Sequence, residues 1–364
     1  MKGRPWTRGF VVGLAILAGC WKGPERDAES PGHATLTLEP IASVSTTDAS
    51  PPGVATDLLV TAKGEVVHFA TLASGKTLVM TDSLGRAIGE FGPRGTGPGE
   101  VSVPMIVEVS DSSVVAVDLA SLRVTEWRRD GNLIRTLQLS RPVLPRAQAA
   151  GRWIGLSASS VGFAPSLMRV ADGEEIAMPA AGSALQDSLL KAAGQLHAPS
   201  IGIWSGGYLV GDGMSYRIGR FDSAGALVMR YGRDLGMNHR SVRQVAADVA
   251  TWVSERTATK GRPSPAEISA REAKLRSESL PWFSHVSPLR MDEAGRLWVV
   301  GTSADSVFAD VFDRDGAVER HWLDCPGFEG RWAIADGWLA LVCAPPEGAE
   351  QAAVVRRYRV TSRR

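Results

Sequence analysis

Short apolar runs, each opened by a small or turn-forming residue, recur along the chain: GEVVHF from Gly64, SSVVAVD from Ser112, GRWIGL from Gly151, GGYLVGD from Gly206, GRLWVV from Gly295 and DGWLALV from Asp336. Runs this short, rich in Val, Ile, Leu and aromatics and bounded by turn formers, read as buried strands, since a helix needs a longer periodic stretch. A second pattern interleaves with the first. TDSLGR, WRRDGN, RVADGE, RFDSAG and FDRDGA place glycines at 85, 131, 173, 225 and 316, each between two alternating strands. Asp there bonds back to the turn backbone and Gly supplies positive φ, the chemistry of a hairpin. The turns recur at about 40 to 50 residues, with one longer gap before Gly316, and several short strands per period of that size predict the four-stranded blades of a β-propeller. Six copies of the apolar run predict six blades.

A ring of sheets must close, or its first and last members present open edges. After Cys343 the sequence has room for one more strand, AAVVRRYRV, which leaves the sixth blade a strand short. Near the start, TLTLEPI (35–41) alternates at the period of a strand, between two stretches (21–34 and 42–56) whose Pro, Gly, Ser and Thr content reads as linker. We therefore expect 35–41 to cross over and complete the last blade. The long gap holds an insertion between blades four and five, over 236–282. SVRQVAADVATWV puts Val242, Val245, Ala246, Val249, Trp252 and Val253 on one helical stripe, and SPAEISAREAKL has Ser264 as N-cap, Pro265 at the first helical position and Glu267 closing a capping box. The expected fold is thus an all-β six-bladed propeller carrying a two-helix insertion.

The first residues alter the setting. Lys2, Arg4 and Arg8 precede an apolar stretch from Phe10 to Ala18, too short for the roughly 20 residues of a spanning helix and suited to a signal peptide. LAGC, Leu17 to Cys20, resembles the lipobox of bacterial lipoproteins, which implies that the Cys20 thiol takes a diacylglyceryl group and that cleavage leaves it as the mature N-terminus. The expected organisation is a signal peptide over 1–19, a tether over 20–34 and a propeller over 35–364. Acyl chains hold a soluble domain at a bilayer at about 0.8 kcal/mol per buried methylene, without any spanning segment. Trp21, where an aspartate would signal inner-membrane retention, leans the resemblance towards the outer membrane, facing the periplasm.

Lys and Arg number 40 against 39 Asp and Glu, so no excess charge draws the chain to nucleic acid. Of the three cysteines, Cys325 and Cys343 fall on what read as neighbouring strands in a compartment that tolerates disulfides. They suit either a bridge or two buried thiols.

VVAVDLASLRVTEWRRDGN and YLVGDGMSYRIGRFDSAGA resemble NHL-repeat and related six-bladed propellers, whose blades carry an aspartate, an arginine five positions on, and then the glycine turn. Asp118 with Arg123 and Asp212 with Arg217 keep that spacing, whereas the fifth blade has Gly301 and Ser306 there. The resemblance implies that these residues brace loops between strands. It also accounts for FGPRGTGPGE (91–100), which looks at first like a phosphate loop. GTGPGEVSVP is similar to the segment linking one blade to the next in this family, and a phosphate loop would open a helix where here Pro104 is followed by another strand.

No catalytic constellation is legible. The serines of GLSAS and GMSYR lack the second glycine of a nucleophile elbow, and the six histidines stand singly, without HxH or HExxH pairs. No cofactor is expected, although propeller lactonases and the amidating lyase assemble metal sites from separate blades, so a metal-dependent hydrolase or lyase is the alternative function. Trp153, Trp298 and Trp338 lie inside the recurring strand and read as core; core packing is also the leading reading of Trp282, which at the edge of the insertion is the better surface candidate. Blade-to-blade connections emerge on one face, so a ligand is expected at that mouth of the channel, near Arg94, Arg233, His239, Arg240, Trp282 and His285, with the helices as a partial lid. The sequence thus points to a monomeric, lipid-anchored envelope module that binds a protein, peptide or glycan.

Overall fold

The computed structural model describes residues 35–46 and 58–363, apart from 71, 73, 140–142, 150–151, 160–161, 170–174, 177–199, 205, 224–225, 284–288, 329 and 345–352. The leader, Cys20 and the tether lie outside the described residues.

Among the described residues the strands form six four-stranded antiparallel sheets and one two-stranded ribbon. The first sheet contains β2 (Leu59–Val60), β3 (Val66–Phe69), β4 (Lys76–Thr81) and β5 (Ala87–Pro93); the second, β6 (Pro104–Val109), β7 (Ser113–Asp118), β8 (Arg123–Arg128) and β9 (Leu133–Gln138). The third contains β10 (Val143–Ala149), β11 (Arg152–Ser159), β12 (Gly162–Arg169) and β13 (Glu175–Ile176); the fourth, β14 (Ser200–Trp204), β15 (Gly207–Asp212), β16 (Arg217–Asp222) and β17 (Leu227–Gly232). After the ribbon of β18 (Asn238–His239) and β19 (Ser279–Leu280), the fifth contains β20 (Arg290–Met291), β21 (Leu297–Ser303), β22 (Ser306–Phe312) and β23 (Val318–Leu323). The sixth joins β24 (Trp332–Ala335), β25 (Trp338–Cys343) and β26 (Ala353–Arg363) to β1 (Thr35–Thr46) from the start of the chain.

First strands of successive sheets touch one another: β2 meets β6, β6 meets β10, β10 meets β14, β14 meets β20, and β24 meets β2. The sheets therefore radiate from an inner strand to an outer one, and the chain is an all-β propeller with two helices. Apolar side chains collect between neighbouring sheets. Leu59, Val67 and Leu78 pack with Val114 and Trp127, Leu209 and Tyr216 with Phe308 and Phe312, and Val300 and Val307 with Leu339 and Leu341. Where a sheet is covered on both faces its second strand buries every side chain, as in Ser113–Asp118 and Trp338–Cys343, and reads in sequence as a nearly unbroken apolar run. Trp153 and Trp298 are fully enclosed and Trp338 nearly so, and truncating rings of this kind to alanine costs about 3 to 5 kcal/mol each.

β1 pairs antiparallel with β26 from Thr35↔Arg363 to Thr46↔Ala353, with a bulge between Pro40 and Ser43. It runs to Thr46, past the expected end at 41 and into the stretch read as linker. The long ladder of β26 offers backbone partners that Ser43, Val44, Ser45 and Thr46 take up, which outweighs their loop-like composition. A disulfide joins Cys325 to Cys343, whose Cα atoms lie 5.0 Å apart, so the bridge is formed and the two-thiol alternative falls.

The insertion stands on the β18–β19 ribbon and contains α1 (Val242–Lys260) and α2 (Pro265–Ser277), each opened by a capping box, from Ser241 with Gln244 and from Ser264 with Glu267. The expected apolar stripe of α1 is only partly covered: Val245 is buried, but Val242 is 68% exposed. The helices pack on each other and tie back by polar contacts, Ser241 Oγ to Asp305 and Gln244 Nε2 to the Ala304 carbonyl, so little apolar surface is needed. Among the described residues no helix is long and apolar enough to cross a membrane.

Candidate functional site

The six residues expected at one mouth are dispersed or already engaged. Arg94 is exposed in the connection between the first two sheets, and its side chain makes no hydrogen bond or ion pair among the described residues. Arg233 follows β17 and reaches Asp310 at 3.3 Å. Arg240 binds Asp248 at 2.8 Å and Glu278 at 2.9 Å, and His239 Nδ1 lies 3.3 Å from the Glu278 carbonyl. Trp282 is 7% exposed, with its indole N–H donating to the Gly236 carbonyl, so it is a core ring. His285 lies outside the described residues. Arg233, His239, Arg240 and Trp282 thus cluster where the fourth and fifth sheets meet the insertion, but internal partners and burial engage them all. Arg94 is on another junction.

Beneath that cluster lies a group that the sequence did not single out. Asp310 on β22 is fully buried and accepts two bonds from Arg320 on β23, at 2.6 and 2.7 Å, together with the Tyr216 hydroxyl from the fourth sheet. Burial, then the Asp310 charge, pushes the Tyr216 hydroxyl well above the usual phenol range. Arg320, whose charge burial opposes, is nonetheless held above its ordinary value by Asp310. This is a seam between blades. Asp118 braces a loop in the way the family resemblance implies, accepting from the Ser102 and Val103 amides at 3.2 and 2.7 Å.

The large concavity opens at the opposite end of the sheets. A cavity of about 940 Å3 is lined by Val60, by Ile203, Trp204 and Arg220, by Arg290 to Glu293 with Gly295 and Arg314, and by Ile334, Ala335 and Asp336. These are the last residues of the inner strands β2, β14, β20 and β24 or the turns that follow, with Arg220 and Arg314 from the outer part of two sheets. The insertion caps the other end of the fifth sheet, at Thr302 to Asp305. Nothing in the sequence marks this site locally, because its lining is gathered from the first, fourth, fifth and sixth sheets.

The Trp204 ring folds back over Gly206, where a Cβ would come within 2.3 Å of it, and its N–H donates to the Phe221 carbonyl at 3.2 Å. On that ring lies the Arg220 guanidinium, 3.8 Å from the centroid. The Arg220 side chain makes no hydrogen bond among the described residues, and its Nε is buried. Arg314 is fixed by one bond from Nε to the Ala294 carbonyl at 3.1 Å, against a Gly295 whose φ of +77° favours glycine. Asp292 is neutralised by Arg296 at 2.6 Å and by the Trp298 indole at 2.9 Å. Glu293 and Asp336 are exposed and unpartnered among the described residues. Among the described residues no group of three or more His, Cys, Asp or Glu side chains converges to hold a metal ion.

No protein-family model matches the chain, and no curated protein matches it in sequence. Its likeness is to solved structures. A member of the DUF4221 family from Bacteroides vulgatus gives a TM-score of 0.51 at 8% identity over 91% of this chain and 99% of that one. An exported protein from Bacteroides fragilis gives 0.49 at 11% identity over 92% and 98%. Streptogramin B lyase gives 0.45 at 11% identity over 90% and 98%. At such identities the likeness extends to the fold alone, a β-propeller.

Proposed function

We propose that this chain is a six-bladed, NHL-like propeller, lipid-anchored through Cys20 in a bacterial cell envelope, that binds a ligand in the cavity at Trp204 and Arg220. The observation that carries the reading is the cavity itself: concave, of ligand size, and lined by charged and apolar side chains in about equal number. The lining suits recognition by charge and apolar contact, and so a binding role rather than catalysis. The chain enters the sixth sheet at Thr35, beside Arg363 and at the same end of that sheet as Asp336. A lipid on Cys20 would therefore tether the propeller by its cavity rim through about fifteen residues, a reach of at most ~50 Å. The lipobox resemblance supports an outer-membrane anchor with the domain in the periplasm.

Equilibrium dialysis of the mature protein against envelope extract, followed by mass spectrometry, tests the site. Ala335→Trp fills the cavity and should abolish retention of whatever small molecule the unaltered protein holds, at unchanged melting temperature. Equal retention by both would end the proposal. Labelling of cells with radioactive palmitate tests the anchor: incorporation should require Cys20 and vanish in Cys20→Ser.

A further inference from the structure

We infer that the ligand is a short peptide with free termini, its carboxylate held by Arg220 and Arg314 and its ammonium by Asp336 and Glu293. The inference rests on the cavity being the binding site and adds the class of ligand.

Charge is distributed unevenly around the cavity. Arg220 belongs to the fourth sheet and Arg314 to the fifth, whereas Asp336 belongs to the sixth, with Glu293 on the turn after β20. Asp292, the remaining carboxylate of the lining, is consumed by Arg296 and the Trp298 indole. The fourth sheet thus offers a guanidinium and the sixth a carboxylate, while the fifth, between them, carries both signs in Arg290, Glu293 and Arg314. A purely anionic ligand would meet Glu293 and Asp336, and a purely cationic one Arg220 and Arg314. A zwitterion satisfies both.

Arg220 is prepared for a carboxylate. Its stacking on Trp204 fixes the guanidinium plane without using any of its donors on a protein acceptor among the described residues, so the fork is pre-oriented for bidentate pairing and loses little freedom on binding. Ile203, Ile334 and Val60 add apolar wall for aliphatic side chains. A cavity of about 940 Å3 admits a few residues, not a folded partner.

Isothermal titration of the mature protein with trialanine tests this, using four forms: both termini free, N-acetylated, C-amidated, and doubly blocked. The free form should bind at least tenfold more tightly than either singly blocked form. Arg220→Gln should erase the penalty of C-amidation and leave that of N-acetylation, and Asp336→Asn should do the reverse, with both variants melting as the parent does. Equal affinity for all four forms, or no binding of any, overturns the peptide assignment, as does tight binding of chitotriose that is indifferent to Arg220→Gln. The dialysis experiment separates the two readings. Retention of a non-peptide that Ala335→Trp abolishes leaves the site standing and removes only the peptide.

Discussion

Arg320 grips Asp310 through two bonds of 2.6 and 2.7 Å in the seam between the fourth and fifth blades, with Asp310 wholly enclosed and the Arg320 side chain 16% exposed. The Asp310 charge is out of water and that of Arg320 is largely so, and each depends on the other. Removing one partner of such a pair strands the other and costs about 3 to 5 kcal/mol. Asp310→Ala should lower the urea midpoint by a corresponding amount at unchanged slope. Arg233→Ala, which removes a longer contact from a side chain 29% exposed, should cost about 1 kcal/mol or less. Equal losses from the two would show that the seam is held by packing and not by this pair.

The seam and the cavity illustrate what was hidden in the sequence. Repeated strands and turns were legible because they obey local rules. Asp82 accepts from the Leu84 and Arg86 amides, Asp313 repeats the arrangement with Asp315 and Ala317, and Gly85 and Gly316 follow at φ of 87° and 84°. The N-cap of α2 and the crossover of β1 were legible for the same reason, the second because an unfilled ladder demands a partner. Asp310 left a trace, an acid inside the apolar run VFADVF, but two of its partners, Tyr216 and Arg233, come from another sheet. The cavity left none, since Val60, Trp204, Asp292 and Asp336 converge only once the ring has closed. Arg233 and Arg240 were attractive as exposed cations in connections, yet a cation in a connection is as readily recruited by a nearby carboxylate.

His68 makes stability depend on pH. It is buried in the first sheet with Nδ1 3.0 Å from the Phe69 carbonyl, and burial, aided by Arg357 and Arg331, brings its pKa down to about 4. The unfolded chain binds the proton at about 6.5, so the stabilisation is complete above that pH and is lost as pH falls from 6.5 towards 4. The full loss is about 3 kcal/mol. Urea unfolding at pH 7.5, 5.5 and 4.5 should show the decline in the parent and a flatter profile over this range in His68→Leu. Parallel profiles would assign the acid sensitivity to other groups.

The Cys325–Cys343 disulfide closes a loop with a sequence separation of 18, worth about 3 kcal/mol from restriction of the unfolded chain. Both sulfurs are buried where the fifth and sixth sheets pack together. Unfolding in the presence of dithiothreitol should shift to lower urea by an amount equivalent to about 2 to 4 kcal/mol. The Cys325→Ala, Cys343→Ala double variant should match the reduced parent and ignore the reductant.

The pairing of β1 with β26 is what makes the ring resistant to aggregation. Without it β26 presents an open edge from Ala353 to Arg363, a row of unpaired amides and carbonyls ready to take a strand from another molecule. Leu36 would also leave the cluster that it shares with Val311, Leu323 and Val360, and its amide would release Glu319 of the fifth blade, 3.2 Å away. A chain truncated to begin at residue 47 should therefore sediment as oligomers and melt at lower temperature. A synthetic peptide spanning 35–46, added in excess, should restore the monomer, because the edge it fills is otherwise formed. Monomeric behaviour of the truncated chain without the peptide would mean that the last sheet is stable with three strands.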